Sequence, residues 1–303
     1  LNAVQKYRNN LWPGFGYYSF MPTEELTLQT PFLQLRARAW GPEDGIPVLA
    51  LHGWMDNANS FAPLAPFLPQ IRLLALDLPG QGLSQWRAKG THYHFIDFCA
   101  EVLFVADALG WEKFNILGHS FGAAIGLVSA CMADDRIDKL ALIDNFGPRV
   151  DSGEKTLERL RHSFRDLSLS TKKKVFIFKQ HSDAMRTRQM VGDLNSSNIK
   201  YLLERGLKVV PGGFSWTSDP QLKMTSPVYL HEQQLLSYLK NLQTNCLLVR
   251  AESGYLVNRD ELEKRYALVK NLTIVDVPGG HHVHMENAES VANYLNKFWF
   301  SQV

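Results

Sequence analysis

The sequence has little cysteine. Cys99, Cys131 and Cys246 are the only three, scattered through apolar segments and outside any pair spacing that suits a metal. They are expected to be buried free thiols rather than a zinc site. Long hydrophobic runs are also missing. No stretch approaches the roughly 18 to 20 apolar residues of a membrane helix, and the N-terminus lacks a basic, apolar, small-residue leader, so a cytoplasmic protein without a membrane span is expected. Neither sign of charge is in excess. Lys and Arg number 32 against 30 Asp and Glu, which leaves no strong field to gather nucleic acid or an anionic bilayer. Internal repeats and low-complexity segments are absent too. What remains is a chain of 303 residues, 45% hydrophobic and 20% charged, enough for one large core or a core with an appendage.

Short apolar runs alternate with helical patterns for most of the length, which predicts an α/β architecture with a largely parallel sheet. An opening hairpin is expected over 25–29 and 33–40. Strands buried on both faces are expected at 47–51, 71–76, 114–117, 140–143, 245–249 and 272–277. Phe95, Phe98, Cys99, Val102, Ala106 and Leu109 recur at helical spacing, with Gly110 as the stop, and a last helix is expected over 289–300. The alternation fails from 147 to 243, where the pattern turns helical, basic and polar, with a Pro211-Gly212-Gly213 turn. A segment this long needs secondary structure of its own, so 147–243 is read as an inserted helical cap between core segments 1–146 and 244–303. Lys172, Lys173 and Lys174 are expected on a solvated helix face; Phe176, Phe178, Phe214 and Trp216 are candidate walls of a covered pocket, although packing within the cap is the expected role for any one of them.

Three segments carry the chemistry. Gly118-His119-Ser120-Phe121-Gly122 follows the apolar run 114–117 and precedes a small-residue stretch, giving strand, tight turn and helix. A nucleophile on a strained turn needs small neighbours on both sides, and glycines two residues before and after Ser120 supply them. The five-residue pattern alone arises by chance in roughly one chain in ten of this length; the strand before it and the helix after it make it specific. His52-Gly53-Trp54 follows the strand 47–51 and can offer backbone N–H groups to a developing oxyanion, with Trp54 and Phe121 as the candidate donors. Pro278-Gly279-Gly280-His281-His282-Val283-His284 follows the strand 272–277 and brings a histidine to the rim that holds Ser120. His281, first after the glycines, is the expected base; His282 and His284 are expected to pack the loop. Three histidines so close could suggest a metal, but neither a cysteine nor a carboxylate pair accompanies them at ligand spacing.

Together these motifs resemble the α/β-hydrolase superfamily and, within it, the serine hydrolase-like proteins. The resemblance runs over nearly the whole chain. His52-Gly53-Trp54-Met55-Asp56-Asn57 matches the oxyanion-loop segment, and Asp77-Leu78-Pro79-Gly80-Gln81-Gly82-Leu83-Ser84 matches a turn that the family pattern makes structural. Gly118 to Gly122 matches the nucleophile elbow, and Gly280-His281 the base loop. The resemblance implies an α/β-hydrolase fold: a mostly parallel central sheet with helices on both faces and the cap inserted.

The acid departs from the commonest family pattern. Many relatives place an Asp shortly after the strand equivalent to 245–249, but here the segment reads Ala251-Glu252-Ser253-Gly254, with Gly254 where that Asp would stand. Glu252 is the alternative acid, although it shares a strand face with Arg250 and would there neutralise a buried guanidinium. Asp260 suits the first turn of a helix over 260–268. Asp144 ends the strand 140–143, and the resemblance to hydrolase-fold enzymes that take their acid from this earlier strand puts it ahead of Glu252. The expected activity is hydrolysis of a small carboxylic ester or related acyl substrate through an acyl-enzyme, with no metal or organic cofactor. Acyl transfer to another acceptor and carbon–carbon bond hydrolysis are compatible with the same residues. A ligand-binding protein of the same fold is the alternative from a different class.

Overall fold

The computed structural model describes residues 4–8, 23–170, 176–192, 194–256 and 260–301. Its main feature is a sheet of nine strands in the order β1-β2-β3-β5-β4-β6-β7-β12-β13. In chain order these are β1 Val4–Arg8, β2 Thr23–Gln29, β3 Gln34–Trp40, β4 Ile46–Leu51, β5 Ile71–Asp77, β6 Phe114–His119 and β7 Ile137–Ile143. The short strands β8 Val150–Asp151, β9 Leu207–Val210, β10 Gly213–Trp216 and β11 Leu230–His231 come next, and β12 Asn245–Ala251 and β13 Leu272–Val277 complete the main sheet. The expected opening hairpin is β2 and β3, paired antiparallel from Gln29 opposite Gln34. From β5 across to β13 every neighbouring pair is parallel.

The parallel strands are continuous apolar runs because both faces are covered. Along β4, Leu49 and Leu51 enter one core cluster while Val48 and Ala50 enter the other, as the two-residue repeat of a strand requires. Helices α1 Phe95–Leu109 and α2 Phe121–Met132 cover the first face with Phe98, Val102, Val105, Ile125 and Leu127. The final helix covers the second with Val291, Ala292, Leu295 and Trp299. Each fully buried leucine here contributes roughly 1.5–3 kcal/mol. Gly110 ends α1 in the left-handed conformation, φ 70°, as its position predicted.

The segment 147–243 is more mixed than its sequence pattern. It contains helices α3 Thr156–Ser170, α4 His181–Gln189, α5 Ser196–Gly206 and α6 Glu232–Asn241. It also contains a hairpin of β9 and β10, turning at Pro211-Gly212 with Gly212 at φ 90°. Phe178, Ala184, Leu194, Ile199, Leu202 and Leu203 form a small core that also takes in Met285 from the C-terminal part of the chain, and Phe214 and Trp216 pack against it. Helix α6 belongs elsewhere: Leu235 and Leu239 are buried in the core of the first sheet face. Three expectations need comment. The lysine run 172–174 lies outside the described residues. The helix expected over 260–268 is a 3-10 turn, Asp260–Leu262, followed by the single turn α7 Glu263–Tyr266, whose Arg265 is drawn to Glu232 of α6. Cys99 and Cys246 are buried free thiols, but Cys131 is only partly buried. The chain closes with α8 Val283–Glu286 and α9 Ala288–Phe300, and no helix among the described residues is long and apolar enough to cross a membrane.

Candidate active site

Parallel pairing brings the carboxyl ends of β4, β6, β7, β12 and β13 to one edge of the sheet. The chain runs from β4 to β5 on one side and returns to β6 on the other, so β4 and β6 flank a switch point, where open α/β sheets carry their clefts. Ser120 follows β6 directly, with φ 51° and ψ −114°. That left-handed φ is strained for a residue with a side chain, and its surroundings enforce it. A Cβ on Gly122 would lie 1.9 Å from the Leu51 carbonyl oxygen, and one on Gly118 would lie 2.5 Å from Ala123 Cα. Both glycines of the motif are therefore required by backbone contact. The Ser120 amide donates to Ile143 O at 3.0 Å, and Asn145 Nδ2 donates to Ser120 O at 2.8 Å. These bonds tie the turn to the end of β7.

Asp144, the first residue past β7, also has a positive φ, 48°. Its amide donates to Val249 O of β12, and the side chain is fully buried. Oδ1 accepts from the Ala251 amide at 3.3 Å, and Oδ2 accepts from the Tyr255 amide at 2.7 Å. His281 completes the line: Nδ1 lies 2.6 Å from Asp144 Oδ2 and Nε2 lies 2.8 Å from Ser120 Oγ. The carboxylate only accepts, so Nδ1 carries the proton and Nε2 is left to accept from the serine hydroxyl. Tyr255 stacks on the imidazole at 3.6 Å between ring centroids. This contact was missed by the sequence reading, and nothing in the local pattern around Tyr255 signals it.

Glu252 does not join the line. It lies one residue past β12, exposed, with its amide bonded to Val277 O. Its expected role is corrected as well. Arg250 is not a buried guanidinium awaiting Glu252; it pairs two-pronged with Asp276, the residue opposite it on β13, at 2.8 and 2.9 Å. Asp276 is reached across the ladder without bending the chain, whereas Glu252 has already left the strand.

The turn after β4 is built from interlocking bonds. Asp56 N–H donates to Gly53 O, Met55 N–H donates to Gln81 Oε1 at 2.7 Å, and Met55 sits at φ 65°. The Leu78 amide donates to His52 Nε2 at 3.1 Å, so Nδ1 carries the proton and donates to Gly53 O at 2.7 Å. Burial, above all, lowers the pKa of His52 below the ordinary imidazole value. Trp54 and Phe121 are brought together, their rings in edge contact at 4.9 Å, with Phe95 beside Phe121. Phe121 opens α2, where the first amides of a helix have no acceptor within it.

The turn 77–84 holds this assembly in place. Asp77 accepts from the amides of Ala58 and Leu83 and from Arg205 Nε at 2.7 Å, and Arg205 Nη1 also meets Glu25 at 2.8 Å. A Cβ on Gly82 would lie 2.2 Å from the Asp77 carboxyl group. Arg205 belongs to α5, so a buried ion pair fastens the 147–243 segment to the sheet. Asn57 Nδ2 to Leu202 O, at 2.8 Å, and Asn59 Nδ2 to Tyr201 O, at 3.0 Å, add to the attachment.

The remaining predicted residues fall into place. His284 is buried, with Nε2 2.7 Å from Ser60 Oγ, and His282 lies against Asp56, so both pack the loop as expected. Phe178, Phe214 and Trp216 pack in the small core around α4 and α5, the role expected of any one of them ahead of a pocket wall, while Phe176 is 67% exposed. Tyr255 stacks on His281, and the ring of Phe121, the residue after Ser120, meets those of Trp54, Phe95 and Phe98. A polar cleft lined by Lys139, Asn245, Lys270 and Ser301 opens near the amino ends of β12 and β13, away from Ser120.

Comparison with known proteins agrees with this architecture. The family model for the alpha/beta hydrolase fold matches residues 46–288. Serine hydrolase-like protein 2 from Homo sapiens is 32% identical over 295 residues, which is 90% of this chain and 93% of that protein. A crystal structure of a hypothetical protein from Pseudomonas aeruginosa PAO1 aligns with a TM-score of 0.87 at 35% identity, covering 91% of this chain and 99% of the other. The thioesterase domain from the curacin biosynthetic pathway aligns with a TM-score of 0.80 at 25% identity over 90% of this chain and 99% of that domain. With this sheet order, this elbow and these relatives, the chain belongs to the α/β-hydrolase family and is a hydrolase similar to the serine hydrolase-like proteins.

Proposed function

We propose that the chain is a serine hydrolase acting on a small carboxylic ester or related acyl substrate, with Ser120 as nucleophile, His281 as base and Asp144 as acid. The observation that carries this reading is the unbroken line from Asp144 Oδ2 to His281 Nδ1 at 2.6 Å and from His281 Nε2 to Ser120 Oγ at 2.8 Å. His281 takes the Ser120 proton as Oγ attacks the carbonyl carbon, and the imidazolium that forms is stabilised by Asp144. The Trp54 and Phe121 amides hold the oxygen as it becomes negative. His281 then protonates the leaving alcohol, and water, deprotonated by the same ring, releases the acid from Ser120. The thioesterase domain among the structural neighbours favours acyl chemistry of this type.

The segment 147–243 is read as the cap over this site, with its covering part ending before α6, since α6 packs in the core. Support comes from the bonds that α4 and α5 make to Asp56, Asn57, Asn59 and Asp77. A cap bolted down by Arg205 encloses a fixed volume, so hydrolysis of p-nitrophenyl esters should fall steeply once the acyl chain fills it. Equal rates for short and very long chains would mean an open groove.

The direct test is a fluorophosphonate probe, which an activated serine attacks at phosphorus as it attacks a carbonyl. Labelling should map to Ser120 and vanish in Ser120→Ala with the fold intact. Absence of labelling in folded protein, or labelling of another serine, would leave a ligand-binding protein of the same fold as the better reading.

A further inference from the structure

His119, the residue before Ser120, is wholly buried. Its Nε2 lies 2.9 Å from the carbonyl oxygen of His281. A carbonyl only accepts, so Nε2 carries the proton and Nδ1 presents a bare lone pair. Among the described residues that Nδ1 has no hydrogen-bond partner. A buried acceptor without a donor costs about 1–3 kcal/mol, and folds rarely keep one that nothing satisfies. Burial first, and then the neighbouring His284, His281 and His282 rings, hold His119 well below the ordinary imidazole value, so the ring is neutral.

Two other groups face this lone pair. The ligating atoms of Asp56, His119 and His282 all lie within 4.8 Å of one another, and all three side chains are buried. Asp56 divides its carboxylate, with Oδ1 meeting the Arg188 guanidinium at 2.5 Å and Oδ2 lying 3.3 Å from His282 Nε2. Gly53 leaves the gap open: a Cβ there would lie 2.9 Å from Asp56 Oδ2 and 3.0 Å from His119 Nδ1.

We propose that Asp56, His119 and His282 form a binding site for a divalent transition-metal ion of the zinc class, one residue from the nucleophile. Two imidazole nitrogens and one carboxylate oxygen are a donor set that zinc accepts, with a fourth position for water. Magnesium and calcium call for more oxygen ligands than these residues supply. A tetrahedral zinc ion with ligands about 2.1 Å away spaces them about 3.4 Å apart, which Asp56 Oδ2 and His282 Nε2 already match. His119 closes the remaining distance. The ion takes the place of the His282 Nε2 proton, and that ring adopts the Nδ1–H tautomer. The outer shell is built in the same way as at known sites, because a metal-ligating histidine commonly donates its other N–H to a carbonyl, here that of His281. Arg188, which stays on Oδ1, keeps the carboxylate oriented without occupying the ligating oxygen.

Equilibrium titration of the EDTA-stripped full chain with Zn²⁺, in competition with a chromophoric zinc indicator, tests the site. One tightly bound equivalent is expected, with affinity reduced about tenfold or more in His282→Gln and in Asp56→Asn. Zinc-edge X-ray absorption on the wild-type chain keeps the test independent of whether the variants fold, and should find two imidazole shells and an oxygen shell. These readouts do not involve ester hydrolysis, so they stand or fall apart from the function proposed above. Folded wild-type protein that binds no zinc, folded variants that bind it unchanged, or an absorption spectrum without histidine ligands would each overturn the proposal.

Discussion

The turns after β7 and β12 lie side by side on the same edge of the sheet, and each carries a carboxylate, yet only one carboxylate reaches His281. Asp144 is wholly buried and accepts from two amides and the imidazole. Glu252 is exposed. The reason lies in a third residue. A Cβ on Gly254 would fall 2.2 to 2.5 Å from the Asp144 carboxyl atoms, so a side chain at 254 and the Asp144 carboxylate would compete for one space. The place beside His281 is thus bordered by two turns: the Asp144 carboxylate fills it from β7, and the turn after β12 leaves it free by carrying no side chain at 254. The glycine at 254 is therefore the counterpart of the aspartate at 144.

The largest expected effect tests the filled side of this arrangement. In the proposed function the Asp144 charge orients His281 and stabilises its protonated form; Asp144→Asn keeps the shape but removes that charge, so turnover should fall by roughly 10² to 10⁴ with little change in folding. The serine protease that fixes this magnitude is another protein, and the range is taken over from it. Steady-state hydrolysis of a short p-nitrophenyl ester measures it, and near-normal turnover would break the comparison. A smaller effect tests the withdrawn side. Gly254→Ala places a methyl group against the carboxylate, and overpacking of this kind costs about 1–3 kcal/mol, so turnover should drop by about tenfold or more as Asp144 is pushed from Nδ1. Unchanged kinetics in Gly254→Ala would show that the two turns do not share the space. The comparison is sharpened by the exchange Asp144→Gly with Gly254→Asp, which should recover activity that Asp144→Gly alone has lost.

How much of this could be read from the sequence depended on the range of the contact. The central strands were legible because both faces are buried, and a run such as Ile71 to Leu76 has no other good environment. Ser120 was legible because its two glycines answer to backbone only a few ångströms away. Gly254 showed that the commonest acid position is vacant, and the resemblance to enzymes that take their acid from the earlier strand put Asp144 ahead of Glu252; the steric reason for the glycine needs both strands in register. The segment 147–243 was least legible. Phe178, Phe214 and Trp216 were open to two roles, with core packing favoured, because apolar residues in an insertion can face either the site or one another, and only the packing decides. The β9–β10 hairpin and the return of α6 to the sheet also depend on partners distant in sequence. The same holds for the meeting of Asp56, His119 and His282, which come from the turn after β4, the end of β6 and the loop after β13.

The smallest expected effect falls on Glu252, and it is the one that can reverse the comparison. Had Arg250 been a buried cation with Glu252 as its partner, Glu252→Gln would have left an uncompensated charge and a large loss of stability. Arg250 instead meets Asp276 in a pair whose side chains are 32% and 52% exposed, and such pairs contribute about 0–1 kcal/mol. Glu252→Gln therefore disturbs neither an ion pair in the core nor the line from Asp144 to Ser120. Its effect on turnover should stay below about tenfold, since whatever charge it contributes acts on His281 only through solvent. Measured beside Asp144→Asn under the same conditions, the variant distinguishes the two turns in both directions. If Glu252→Gln is crippled while Asp144→Asn remains active, the working acid lies after β12, and the 2.6 Å contact between Asp144 and His281 orients the ring without supplying the charge that turnover needs.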